Sequence, residues 1–389
     1  MGITFYEGLL IHVVFSKFFI IIFNLNENLQ NAKRVTSINF QVNPDSKSNL
    51  DYQSKGNTRI STNSTFSMRI ACSLGSLLSI NQVLDCTRIL SKTLAETIWI
   101  PETWGMENFS MLSLVSQNAI TKKIGSSIIN IYSRSPAAIA MGAATVDTIS
   151  NGRLILGLGT SSTSIVENFH GYEFKNPVLR MQEYVEIIKQ VLSGNQVNYS
   201  GKIFNLKNFT LLIKPQRKRI PIYLAAVNQK MVELTWDVGD GVIFYLRPME
   251  EMKKIIQKMQ SKRKIDVTCQ LITCVSHDSE LAIDKCKKTL AFYVSVGKIY
   301  RDFLAKNGFE RETKNIFEEF NQSGFSSNHE LVTDKMINSL TIAGDPEKCI
   351  SQLEKFRKTG VDLPIIQFNP IGDVVESFKI FSSTFFEGK

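Results

Sequence analysis

Residues 123–159 read KIGSSIINIYSRSPAAIAMGAATVDTISNGRLILGLG, and the pattern of this stretch decides the fold. Lys123–Ile131 is dense in isoleucine and reads as a strand. Pro136–Ile149 repeats apolar side chains at helical spacing, with Pro136 suited to a first helical turn. Arg153–Gly159 then returns to a short run of Leu, Ile and Gly. A nearly continuous apolar strand suits a parallel sheet whose two faces are both covered, and strand–helix–strand is the unit that builds one.

The same alternation extends in both directions. Upstream, Arg69–Leu74 precedes a helical segment Asn81–Ala95, and Thr97–Pro101 precedes Phe109–Ala119. Downstream, Arg153–Gly159 pairs with Leu179–Leu192, Ile220–Ala225 with Gln229–Val238, and Gly241–Leu246 with Met249–Lys262. The series ends with Ile265–Val275 and Leu281–Val296, then a helix over Asp345–Thr359 and a strand over Asp362–Phe368. Eight such units predict a closed (β/α)8 TIM barrel with insertions at Thr160–Asn176, Gln196–Leu212 and Arg301–Asp334. A doubly wound open sheet would want a GxGxxG turn after its first strand, and Ser73-Leu-Gly75-Ser lacks that spacing.

The chain has 389 residues, 43% hydrophobic and 21% charged, which excludes a disordered chain, a coiled coil and a collagen-like fibre. Residues 1–67 differ in kind from the rest. Leu9–Phe23 is an apolar run broken by His12, Ser16 and Lys17, short of the roughly 20 residues of a spanning helix. A polar stretch rich in Asn, Ser, Thr and Gln follows and reads as disordered. The expected division is thus an N-terminal extension, 1–67, and a barrel, 68–389, with segment 9–23 a weak anchor candidate. The net charge of +9 is spread too thinly for a nucleic-acid surface. Its densest run, Lys214-Pro-Gln-Arg217-Lys218-Arg219, reads as a solvated loop. Six scattered cysteines and four histidines form no metal-ligand pattern, so no metal is expected. The cysteines read as free thiols of a reducing, cytoplasmic compartment.

In a TIM barrel the active site lies at the carboxyl ends of the strands. Those ends offer Glu102, Thr103 and Trp104; Asn130, Ser133 and Arg134; Gly159, Thr160 and Ser161; and Ala226, Val227 and Asn228. No histidine falls among them and no carboxylate pair recurs, which argues against Ser–His–Asp or two-carboxylate hydrolysis. Sites poor in titratable groups leave the chemistry to a cofactor. Gly157-Leu-Gly159-Thr160-Ser161-Ser162 is either an anion cradle or a place where glycines relieve crowding. Arg134 could fork onto a carboxylate or phosphate, or simply open the next helix on the surface.

Several segments together resemble the bacterial luciferase-like superfamily, and within it the deazaflavin-dependent methylenetetrahydromethanopterin reductase branch. They are Trp99–Gly105 (WIPETWG), Lys123–Pro136, Asp147–Gly159, Ile222–Ala226 (IYLAA), Gly239–Val242 (GDGV) and Leu340–Pro346 (LTIAGDP). The resemblance implies a barrel that holds an isoalloxazine-type ring in its mouth, against a non-proline cis peptide at Ser127–Ile128. It implies a phosphate site at Gly159, Thr160 and Ser161 and at Ala226, Val227 and Asn228. Asn130, Ser133 and Arg134 would line the cofactor pocket. The branch carries a glutamate on its first strand where this chain has Cys72-Ser73, an Arg-His-Pro where it has Arg134-Ser135-Pro136, and an acidic–His pair where it has Glu102-Thr103. The implied activity is hydride transfer between a small-molecule substrate and C5 of coenzyme F420. Glu102 would be the acid–base or orienting residue, with Thr103 and Trp104 on the substrate side. An FMN-dependent monooxygenase and a non-catalytic flavin-binding barrel are the alternatives, and a homodimer is implied by the resemblance alone.

Overall fold

The computed structural model describes residues 69–387 except 76, 214 and 218. The extension 1–67, its segment 9–23, and Lys214 and Lys218 of the basic run lie outside the described residues.

The chain alternates as the sequence predicts. The strands are β1 (Ala71–Leu74), β2 (Thr97–Ile100), β3 (Lys123–Ser126), β4 (Ile129–Asn130), β5 (Leu154–Gly159), β6 (Val197–Ser200), β7 (Asn205–Phe209), β8 (Ile222–Ala225), β9 (Gly241–Tyr245), β10 (Asp266–Val275), β11 (Thr341–Gly344) and β12 (Leu363–Phe368). Hydrogen bonding runs β10-β12-β1-β2-β3-β5-β8-β9 and returns to β10, closing a barrel of eight parallel strands. Short β4 continues β3 along the edge of β5, while β6 and β7 form an antiparallel hairpin. All eight barrel strands are those read from the sequence.

Side-chain alternation divides two cores. Odd positions Ala71, Trp99, Ile155, Tyr223, Ile243, Leu363 and Ile365 cluster inside the barrel. Their neighbours, such as Cys72, Ile98, Leu156, Leu224, Val242 and Ile366, pack outward beneath the helices. The interior is tightly filled: a Cβ on Gly125 would lie 2.4 Å from the Trp99 ring, and one on Gly241 2.7 Å from the Tyr223 ring. At the amino end, Arg69 forks onto Glu96 (2.7 Å) and Asp266 (2.7 Å), and Lys123 adds a 3.0 Å pair to Glu96.

Three features go beyond the sequence reading. Thr341–Gly344 is a strand, too short for a visible alternation, and it pairs with residues 272–275 of β10. The stretch expected as decoration from Arg301 to Asp334 folds into helices Lys298–Leu304, Glu310–Ser323 and Asp334–Leu340. With Ser279–Val296 they enclose a second core that includes Leu246, Ile272, Cys286, Phe309, Ile316 and Met336. A terminal helix, Val374–Phe385, buries Phe378, Phe381 and Phe385 against the barrel's helical shell. The solvated-loop reading of 214–219 is corrected as well. Arg217 pairs with fully buried Asp147 and the Leu154 carbonyl, and Arg219 pairs with Asp240. A buried carboxylate without a partner would be costly, so these arginines are structural.

Candidate active site at the carboxyl end of the barrel

The loop after β2 meets the turn after β4 through charge. Arg134 donates from both guanidinium nitrogens to Glu102, at 2.9 Å to Oε2 and 2.6 Å to Oε1. The Asn108 and Asn130 backbone N–H groups complete the carboxylate at 3.2 and 3.5 Å. A carboxylate offers about four lone-pair sites, and all are used. Arg134 also pairs with Glu107 and holds the Ser133 hydroxyl at 2.9 Å, while its carbonyl accepts from Tyr184 Oη at 2.7 Å. Glu102, above all, holds the Arg134 guanidinium above its ordinary pKa, working against burial. The carboxylate that Arg134 was expected to find is therefore internal. Of the two roles expected for Glu102, this geometry supplies orientation of the β2 and β4 loops. Thr103 follows half-buried, and Trp104 is 42% exposed on the rim.

Between β3 and β4 the Ser127–Ile128 peptide is cis, as the resemblance implies. Half-buried Ile128 packs on the interior cluster. Gly157 and Gly159 are explained by close approach. A Cβ on Gly157 would stand 1.8 Å from the Ser126 carbonyl oxygen, and one on Gly159 2.5 Å from Ile128 Cγ1. Of the two readings of this run, relief of crowding accounts for both glycines. Ser161 beyond them has a left-handed φ of 58°. Two buried polar atoms here have no partner, Ser127 Oγ and Asn130 Nδ2. Such groups are rarely left unsatisfied, because each costs roughly 1–3 kcal/mol.

After β8, Asn228 caps the helix Gln229–Val238 by accepting from the Met231 N–H at 3.0 Å. The Ala226 and Val227 carbonyls are held by Arg247, which follows β9. Arg247 is 3% exposed, lies 4.5 Å from the Phe244 ring centre and 4.6 Å from that of Phe303, and pairs with Glu251. The structure thus gathers the expected residues after β2, β4, β5 and β8 at one end of the barrel. Glu102, Asn130, Ser133 and Arg134 share one hydrogen-bonded network.

Sequence reasoning missed Arg247 and a layer of neutral polar groups. By strand register, Trp99, Ser73 and Gln367 are successive neighbours, and Gln270 is the neighbour of Tyr245. Gln270 Nε2 donates to Gln367 Oε1 at 3.0 Å, linking the two groups. Gln367 Nε2 reaches Asn369 Oδ1 at 3.3 Å, and Asn369 donates to the Thr273 carbonyl at 3.1 Å. Gln270 Oε1, Ser73 Oγ and Trp99 Nε1 are unpartnered. Where the related branch has its first-strand glutamate, Cys72 thus faces the helices and Ser73 the interior. The available signal was a polar residue at the inward period of an otherwise apolar strand.

A closed parallel barrel with its unsatisfied polar groups gathered toward the carboxyl ends of its strands is the architecture of the (β/α)8 enzymes. The chain belongs to the luciferase-like monooxygenase family, whose model matches residues 62–363, and is an oxidoreductase. It is 30% identical over 288 residues to the 5,10-methylenetetrahydromethanopterin reductase of Archaeoglobus fulgidus, covering 70% of this chain and 85% of that one. It is 26% identical over 300 residues to a Mycobacterium tuberculosis protein named for coenzyme F420-dependent oxidoreduction, covering 70% and 86%. The coenzyme F420-dependent tetrahydromethanopterin reductase structure from Methanopyrus kandleri shares the fold at a TM-score of 0.73. The sequences are 22% identical, and the match covers 82% of this chain and 98% of the other.

Proposed function

We propose that the protein is a coenzyme F420-dependent oxidoreductase that exchanges a hydride between the deazaflavin C5 and a small-molecule substrate. One observation carries the reading: the charged groups of the β2 and β4 loops neutralise one another. The Glu102 carboxylate is saturated, Arg134 is taken by Glu102 and Glu107, and what remains is hydroxyl, amide and backbone. Such a mouth orients and excludes water but supplies no redox chemistry of its own. When bound, the deazaflavin supplies the hydride-carrying carbon. The similarity to two relatives named for methylenetetrahydromethanopterin reduction and F420-dependent oxidoreduction supports that choice over FMN.

The residues present fit the group. Ile128, seated against Gly159, offers an apolar face for a planar ring, and the orphaned Ser127 Oγ and Asn130 Nδ2 offer hydrogen bonds near its edge. Thr160 and Ser161 after β5, with Val227 and Asn228 after β8, would take the phosphate. Thr103 and exposed Trp104 stand on the substrate side. Glu102 and Arg134 hold the two loops in register, so that ring and substrate meet in one orientation.

Titrating the full chain with coenzyme F420 and with FMN, followed by fluorescence, tests the reading. Micromolar binding of the deazaflavin is expected, and binding of FMN alone would replace it with the monooxygenase reading. We further propose a cytoplasmic homodimer joined through the helices after β2 and β3. Leu114 (44%), Ile120 (72%), Met141 (51%) and Ile149 (41%) are exposed on or beside them. Sedimentation should give twice the monomer mass, and Met141→Asp should halve it. Among the described residues no helix is long and apolar enough to cross a membrane.

A further inference from the structure

We infer that Arg247 is the positioning residue of the phosphate subsite after β8, and that it works by aiming backbone N–H groups rather than by meeting the phosphate itself. The inference rests on the cofactor reading above. Arg247 is almost wholly buried between the rings of Phe244 and Phe303, and its charge is spent on Glu251. A bound anion in the mouth therefore does not touch it.

What Arg247 does touch is two successive carbonyls, Ala226 at 3.4 Å and Val227 more closely. In a trans peptide the C=O and N–H point in opposite directions. Drawing the Ala226 carbonyl toward the guanidinium turns the Val227 N–H away from it, and drawing the Val227 carbonyl turns the Asn228 N–H away likewise. Neither N–H makes a hydrogen bond among the described residues. Two consecutive free N–H groups on one side of a loop form an anion-binding concavity. This one leads into the helix Gln229–Val238, whose positive end favours the same charge. A planar fork is needed to hold two carbonyls at once, and arginine alone has one.

The second core enters here too. Phe303 lies on the helix Lys298–Leu304, so the ring that closes one face of Arg247 comes from the region outside the barrel. The subsite is thereby tied to the second core through one side chain.

The test uses full-length protein and two probes that differ by one group, 8-hydroxy-5-deazariboflavin and its 5′-phosphate. Affinities are read by fluorescence and stability by thermal melting. Wild type should prefer the phosphorylated probe by about tenfold or more, the worth of one charge-assisted hydrogen bond. Arg247→Met fills the slot between the rings but releases both carbonyls, and should abolish that preference while leaving the phosphate-free probe unchanged. Arg247→Lys keeps the charge beside Glu251 without the fork and should retain only part of the preference, which guards against a Met variant that fails to fold. An unchanged ratio in either folded variant overturns the inference. So does equal weakening of both probes, the mark of a merely structural role. If wild type ignores both deazaflavins but prefers FMN to riboflavin, the cofactor reading falls, and the same ratio measured with that pair decides the role of Arg247.

Discussion

At the scale of single residues, two glycines and one carboxylate carry separable predictions. Gly157→Ala sets a methyl 1.8 Å from a backbone carbonyl, whereas Gly159→Ala meets the Ile128 side chain, which can move. Gly157→Ala should cost more than about 3 kcal/mol in urea unfolding, and Gly159→Ala about 1–3 kcal/mol. Equal losses would show that Ile128 is as fixed as the backbone. Gly159→Ala should also weaken deazaflavin binding, because Ile128 must shift toward the ring. Glu102→Gln loses the charge that pairs with Arg134 and should destabilise by about 1–3 kcal/mol. As an orienting group, Glu102 should leave the shape of the pH–rate profile unchanged when replaced. A vanished limb in that profile would assign it proton transfer instead. The sequence made Glu102 conspicuous but hid its partner, because Arg134 lies 32 positions away and only the closed barrel brings them together.

At the scale of elements, the amino end of the barrel is bound by charge and the carboxyl end is left neutral. Glu96, on the approach to β2, is held below the usual carboxylate range. Burial works against its ionisation, but hydrogen bonds from Arg69 and Lys123 outweigh that. A carboxylate with a lowered folded pKa stabilises above its unfolded pKa, and the contribution is lost as pH falls through the folded value. Unfolding free energy should therefore drop as pH falls below the ordinary glutamate value of about 4.3, and drop less steeply in Glu96→Gln. Parallel slopes for the two proteins would rule this source out. The strands were legible because apolar periodicity is a local property, and all eight showed it. β11 was not, since four residues, Thr-Ile-Ala-Gly, carry no alternation to read. Gln270 and Gln367 escaped for a related reason. A glutamine in a strand reads as surface until register shows which face closes on itself.

At the scale of the whole molecule, six cysteines lie buried and unpaired in the two cores. Burial pushes the thiols of Cys86, Cys269 and Cys349 up to about 12, so they stay protonated and unreactive at neutral pH. Ellman's reagent should label none of the six in the native protein within minutes and all six in guanidinium. Fast labelling of Cys274 or Cys286 alone would show the second core opening independently of the barrel. The barrel itself was readable from composition and period. The second core was not, because its apolar residues come from four helices with charged outer faces, which look like solvent-exposed decoration when taken one at a time. That core hangs from a single strand. One edge of β10 serves β9 over residues 266–270 and β11 over 272–275, so a wall of the barrel becomes, within the same strand, the foundation of an annex. The arrangement is modular: the segment from 276 to 340 leaves and rejoins the sheet on one edge. A lineage can therefore lengthen, trim or exchange what overhangs the mouth without re-registering any of the eight staves.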